Sequence, residues 1–80
     1  VDLILSFLQL PPGSTIADIG AGTGGYSRAM AERGFLVYAV EPSEVMRSQA
    51  VPHPQVKWLD GSAEAIPLPD NSVDAAICIL

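Results

Sequence analysis

An α/β fold, a doubly wound parallel sheet in three αβα layers that is truncated after its fourth strand, is predicted by three observations on the sequence. Apolar strand-like runs alternate with segments of helical period. Four glycines stand within the six residues Gly20-Ala21-Gly22-Thr23-Gly24-Gly25, directly between the first strand and the helix after it. Phe35 to Val40 is a continuous apolar run rather than an alternating one, the pattern of a strand covered on both faces. Strand alternating with helix implies parallel pairing through right-handed crossovers.

The elements follow in order. Asp2 to Leu10 pairs Leu3 with Phe7, Ile4 with Leu8 and Phe7 with Leu10 at helical spacing, which predicts a short amphipathic helix. Pro11-Pro12-Gly13-Ser14 ends it, because the residue before a proline is pushed out of the helical region and Pro-Gly favours a turn. Thr15 to Ile19 is the first strand. After the glycines, Tyr26 to Arg33 places Tyr26, Ala29, Met30 and Arg33 at helical spacing, and Gly34 suits the position just past a helix end. Phe35 to Val40 is the second strand, and Glu41-Pro42-Ser43 leads into a helix over Ser43 to Ala50, with Pro42 or Ser43 fitted to its first positions. Pro52-His53-Pro54 ends that helix. Val56 to Leu59 is a short mixed strand placed toward a sheet edge. Asp60 to Ser72 is a loop holding Pro67 and Pro69, with one helical turn near Ala63 to Ala65, and Val73 to Leu80 is the last strand.

Composition narrows the class. The 80 residues carry nine acidic and four basic side chains, a net charge of −5, so no basic stripe exists to neutralise phosphates and nucleic acid is excluded as an electrostatic partner. Hydrophobic residues make up 49% and charged ones 16%, against about 25% charged in ordinary domains, which excludes disorder. One cysteine, Cys78, rules out an internal disulfide and a cysteine-only zinc site and fits a reducing, cytoplasmic setting. No apolar run approaches the ~20 residues that span a bilayer. The chain starts without Met and ends in an apolar run, so it reads as a segment of a longer protein.

In doubly wound sheets, ligands sit outside the carboxyl ends of the strands at the point where strand order reverses. Three groups of residues fall there: the glycine loop, Glu41, and Gly61-Ser62-Ala63-Glu64. Glycines at a strand-to-helix junction let a ligand touch the main chain beside unpaired helix N–H groups. Gly20, Gly22 and Gly25 satisfy the dinucleotide pattern G-x-G-x-x-G, with Glu41 twenty-one residues on from Gly20. Gly20, Gly22 and Gly24 equally satisfy G-x-G-x-G. Asp18 separates the two readings. Its carboxylate ends an otherwise apolar strand, where it would repel a pyrophosphate but favour a ligand bearing an ammonium and a sulfonium, so S-adenosyl-L-methionine is a better match than NAD. Asp18 can also shape the loop by accepting its N–H groups. The two oxygens of Glu41 suit the paired hydroxyls of a ribose. Met46 could cover an adenine face or lie in the core, and Ser62 with a backbone N–H could read the adenine edge.

The remaining candidates carry no chemistry. His53, between two prolines, is expected to be exposed and to bind no metal, and no metal site is predicted anywhere. Cys78 is read as a small hydrophobe within its strand, and Trp58 and Phe35 as packing residues. The serine-hydrolase elbow, the zinc-protease motif and the phosphate-binding P-loop are all missing from these residues.

With those residues in place, the sequence resembles the class I S-adenosylmethionine-dependent methyltransferases of the methyltransferase domain 11 type, with their Rossmann-like fold. Ile16-Ala17-Asp18-Ile19-Gly20-Ala21-Gly22-Thr23-Gly24 is similar to the family's first motif, and Val40-Glu41-Pro42-Ser43 with Met46 to its second. Gly61 to Asp74 is similar to the adenine loop running into the fourth strand. The resemblance implies a cofactor held by Asp18, Gly20, Ala21, Gly22, Glu41, Pro42, Met46, Ser62 and Ala63. Asp18 and the Gly20 to Gly22 backbone would hold the methionine moiety, Glu41 the ribose diol, and Ser62 with Ala63 the adenine edge. Many relatives have Asp where this chain has Ser62, whose neutral hydroxyl would hold the adenine amine less firmly. The implied reaction is methyl transfer to a small-molecule acceptor. No catalytic residue is assigned, since alignment alone can carry such a displacement. Two other readings stand beside it: an NAD(P)-binding oxidoreductase, and a non-catalytic cofactor-binding module. Oligomeric state has no signature in these residues.

Overall fold

The structure, a computed structural model, describes residues 2–79. Three helices and four strands follow one another as α1 (Asp2–Leu8), β1 (Thr15–Ile19), α2 (Gly25–Glu32), β2 (Leu36–Val40), α3 (Glu44–Ser48), β3 (Val56–Leu59) and β4 (Ala75–Cys78). The strands form one parallel sheet in the order β3-β2-β1-β4. The chain therefore winds outward from β1 to β3, then returns across the sheet to place β4 on the other side of β1. That reversal puts the loop after β1 at the switch point. β3 lies at an edge, as its mixed composition predicts.

Side-by-side residues in a parallel sheet share a face, and the register divides the core in two. Ile16 and Val37 pack with Met30, Ala31 and Phe35, joined by Leu5, Leu10, Val56 and Ile77. On the opposite face, Ala17, Ile19 and Val40 pack with Leu59, Leu68 and Val73. The first cluster lies under α1 and α2. The residues ending α3 share a depression with Val56 and Trp58 on that same face. Among the described residues the second face is covered by the coil between β3 and β4.

β1 and β3 have the predicted bounds and α2 the predicted length, shifted by one residue, whereas α1, β2, α3 and β4 are shorter than their sequence patterns. α1 stops at Leu8 rather than Leu10, because Gln9 takes a φ of 53° and turns the chain before the prolines; Leu10 still reaches the core. α2 ends as predicted, at a Schellman motif. The Gly34 N–H donates to Ala31 O and the Phe35 N–H to Met30 O, with Phe35 and Met30 in contact beneath. Its buried face is Ser27, Met30 and Ala31, not Tyr26, Ala29, Met30 and Arg33. A count of apolar side chains misses that face because one of its members is a serine.

α3 spans five residues instead of the eight from Ser43 to Ala50. Ser43 is its cap and accepts from the Met46 N–H at 3.2 Å. The helical turn expected at Ala63 to Ala65 is instead a reverse turn, closed by a reciprocal bridge between Ser62 and Ala65. Gly61 is needed there because a β-carbon would sit 2.5 Å from Pro67. β4 is shorter than Val73 to Leu80, and Leu80 lies outside the described residues. Asp74 starts β4 by a two-way tie to β1: its N–H donates to Thr15 O at 2.8 Å, and its carboxylate accepts from the Thr15 N–H at 2.7 Å. Cys78 is exposed at the strand's end, not enclosed as a small hydrophobe.

Candidate functional site

The predicted site residues are carried at the carboxyl ends of three adjacent strands. Asp18 is the penultimate residue of β1 and Gly20 to Gly22 follow that strand, Glu41, Pro42 and Met46 follow β2, and Ser62 and Ala63 follow β3. Asp18 is 3% exposed, on the α2 side of the sheet, and accepts from the Ser27 hydroxyl at 2.7 Å. Burial pushes its carboxyl above the ordinary aspartate range, and the Ser27 hydrogen bond opposes that rise. Ser27 is fully buried and was not foreseen as a site residue. Its signal was available: it lies on the core stripe of α2, three and four residues before Met30 and Ala31, where a polar side chain requires a partner.

Beyond Asp18 the glycine loop is held tightly by its own backbone. The N–H groups of Gly20 and Ala21 both donate to Val40 O, at 2.8 and 3.1 Å. The Gly22 N–H donates to Glu41 Oε1 at 2.8 Å, and the other oxygen of Glu41 accepts from the Ser43 N–H at 3.0 Å. Glu41 is buried and clamps the loop to the start of α3. The three donors that open the loop are thus engaged inside the protein.

Two glycines of the loop are required, Gly22 by its positive φ and Gly24 by its positive φ and its neighbour together. Gly22, at φ 63°, has the methyl end of Met46 3.7 Å from where a β-carbon would stand. Gly24, at φ 88°, leaves 2.5 Å between that position and the Trp58 ring. Trp58 is therefore the floor beneath the loop, a role its place in β3 does not announce. Met46 is 38% exposed and lies beside Gly22 rather than in the core. Pro42 and Ala63 are exposed and Ser62 is half-buried.

Ser62 and Ala63 are connected to the Glu41 group indirectly. The Arg47 guanidinium donates to Glu41 O and pairs with the Asp60 carboxylate at 3.4 Å, one residue before Gly61. His53 is half-buried, and its Nδ1 accepts from the Gln55 N–H. No group of His, Cys, Asp and Glu side chains among the described residues could hold a metal ion. No helix among them is long and apolar enough to cross a membrane.

Carboxylates at the ends of β1 and β2 around a glycine loop at the switch point define a Rossmann-like domain of the type found in S-adenosylmethionine-dependent methyltransferases. A family model described as a methyltransferase domain matches residues 17–80, and the chain belongs to that family. It is 46% identical over 63 residues to an uncharacterized methyltransferase of Mycobacterium tuberculosis, which covers 78% of this chain and 26% of the relative. Among solved structures it is similar to a methyltransferase from an antibiotic biosynthesis pathway of Anabaena variabilis. The TM-score is 0.96 at 64% identity, over 99% of this chain and 32% of that one. An S-adenosyl-L-methionine-dependent methyltransferase of Methanococcus maripaludis aligns with a TM-score of 0.86 at 25% identity, over 96% and 38% of the two chains. The chain spans about a quarter to a third of the length of the curated relatives it matches.

Proposed function

We propose that these residues are the N-terminal, cofactor-binding part of a single methyltransferase domain that uses S-adenosyl-L-methionine to methylate a small-molecule acceptor. The observation that carries the reading is the state of the glycine loop. A pyrophosphate is bound by free N–H groups, yet those of Gly20, Ala21 and Gly22 are bonded to Val40 O and to Glu41. The loop opens with its donors engaged and with two carboxylates, Asp18 and Glu41, at its root. That electrostatic setting suits a ligand bearing an ammonium and a sulfonium, and opposes a dinucleotide.

In this reading Asp18 and the Gly20 to Gly22 backbone hold the methionine end. Glu41 is 9% exposed and its oxygens retain acceptor capacity beyond the Gly22 and Ser43 bonds, since a carboxylate offers about four lone-pair sites. It takes the ribose hydroxyls, while Met46 and Pro42 line the adenine face and Ser62 with Ala63 its edge. The bound cofactor supplies a methyl group on a positively charged sulfur, open to in-line attack. These residues orient it, and alignment of the acceptor supplies much of the rate. A small acceptor agrees with the Anabaena relative's pathway and with the acidic composition. The solitary Cys78 agrees with the cytoplasm.

Calorimetric titration of the full native protein with S-adenosylhomocysteine and with NADH tests the reading. Binding of the first without the second is expected. Binding of NADH alone would replace the proposal with the dinucleotide reading. Failure to bind either would leave a non-catalytic module.

A further inference from the structure

We infer that Arg47 is a positioning residue that sets the spacing between the ribose and adenine subsites. The inference rests on the cofactor reading given above. The Glu41 N–H donates to Leu59 O at 3.0 Å and is the last rung joining β2 to β3. Beyond it the β2–β3 register ends, with one segment carrying the Glu41 carboxylate and the other leading through Asp60 to Ser62. Arg47 joins the two segments. Its guanidinium donates to Glu41 O and pairs with Asp60 at 3.4 Å. The Arg47 side chain is 21% exposed, whereas that of Asp60 is 75% exposed.

A nucleoside presents its ribose hydroxyls and its base edge at a nearly fixed separation, so the two loops must be held at the matching one. Glu41 is already fixed from the other side by the Gly22 and Ser43 N–H groups. The Arg47 to Asp60 pair adds the missing tie to the third loop. A flexible neutral side chain at 47 would leave Ser62 and Ala63 attached only through their own strand and turn. The guanidinium suits this place because one rigid group reaches a carbonyl and a carboxylate together.

A double-mutant cycle on S-adenosylhomocysteine affinity tests the inference in the full native protein, with Arg47→Met, Asp60→Ala and the combination. Arg47→Met and Asp60→Ala are each expected to weaken binding about fivefold to tenfold, with the double variant little weaker than the worse single one. Asp60 is exposed, so its substitution should leave the unfolding midpoint unchanged while affinity falls, an effect that a purely structural role does not produce. Arg47→Lys should recover part of the loss. Unchanged affinity in both single variants overturns the inference and leaves the cofactor reading standing. Additive losses also overturn it, because they place Arg47 on the ligand independently of Asp60. A wild-type protein that does not bind S-adenosylhomocysteine overturns both.

Discussion

Asp18 is held in a state unfavourable to its own charge. The folded protein keeps the Asp18 proton to a higher pH than the unfolded chain does, because desolvation outweighs the Ser27 hydrogen bond. Between the ordinary aspartate value, about 3.9, and the raised one, the folded state binds more protons. Stability therefore falls as pH rises through that window. Asp18→Asn keeps an acceptor for Ser27 and removes the buried charge, so it should raise the free energy of unfolding in urea at neutral pH. The same variant should weaken S-adenosylhomocysteine binding about tenfold or more, the scale of one hydrogen bond to a charged group. In the wild type, acidification through the window should weaken binding, and titrations in buffers of different ionisation enthalpy should show proton release. Glu41→Ala loses the Gly22 and Ser43 bonds together with the ribose acceptor, and should weaken binding by roughly 1–3 kcal/mol. Equal affinity of that variant and the wild type would place the ribose elsewhere.

The elements themselves are arranged around the loop after β1. Gly24 precedes α2 in a left-handed conformation with no side-chain cap, and the Trp58 ring closes the space beside it. Gly24→Ala should destabilise the fold by about 2 kcal/mol through backbone strain, with a further loss from the ring contact. A Trp58→Leu background should recover only that second part, read by urea denaturation. If the two backgrounds respond alike, Trp58 is not the floor of the loop. The features legible in the sequence were those with short-range signatures: the glycine run, the Gly34 helix end, a helix start at Pro42 or Ser43, and the succession of helices and strands along the chain. Those missed depend on residues far apart in the chain. Ser27 answers Asp18 across the α2 interface, Asp74 fixes the start of β4 through Thr15, and Arg47 meets Asp60 only once β2 and β3 are paired. Local spacing carries no trace of such pairs, although the buried polar position of Ser27 was detectable from the core stripe.

For the molecule as a whole, 49% hydrophobic content first looks excessive for 80 residues. The structure shows where the surplus lies. Among the described residues β4 pairs with β1 on one side only, and Leu3 and Phe7 on α1 are 84% and 87% exposed. An apolar edge strand beside exposed leucine and phenylalanine is an aggregation hazard. Expressed as these 80 residues alone, the chain should associate with rising concentration in light scattering, and Ala76→Lys on β4 should reduce that association. A strictly monomeric wild-type fragment would show that β4 is protected in some other way.

In the proposed function, the ends of three strands form one site for S-adenosylmethionine. The most direct measurement is a map of backbone amide shifts in the isotopically labelled native protein as S-adenosylhomocysteine is added. Saturable shifts are expected at Gly20, Gly22, Glu41, Met46, Ser62 and Ala63, with Gly13 and Gly34 at the opposite end of the sheet unmoved. Shifts confined to other regions, or the same six residues responding to NADH and not to S-adenosylhomocysteine, would contradict the proposed function.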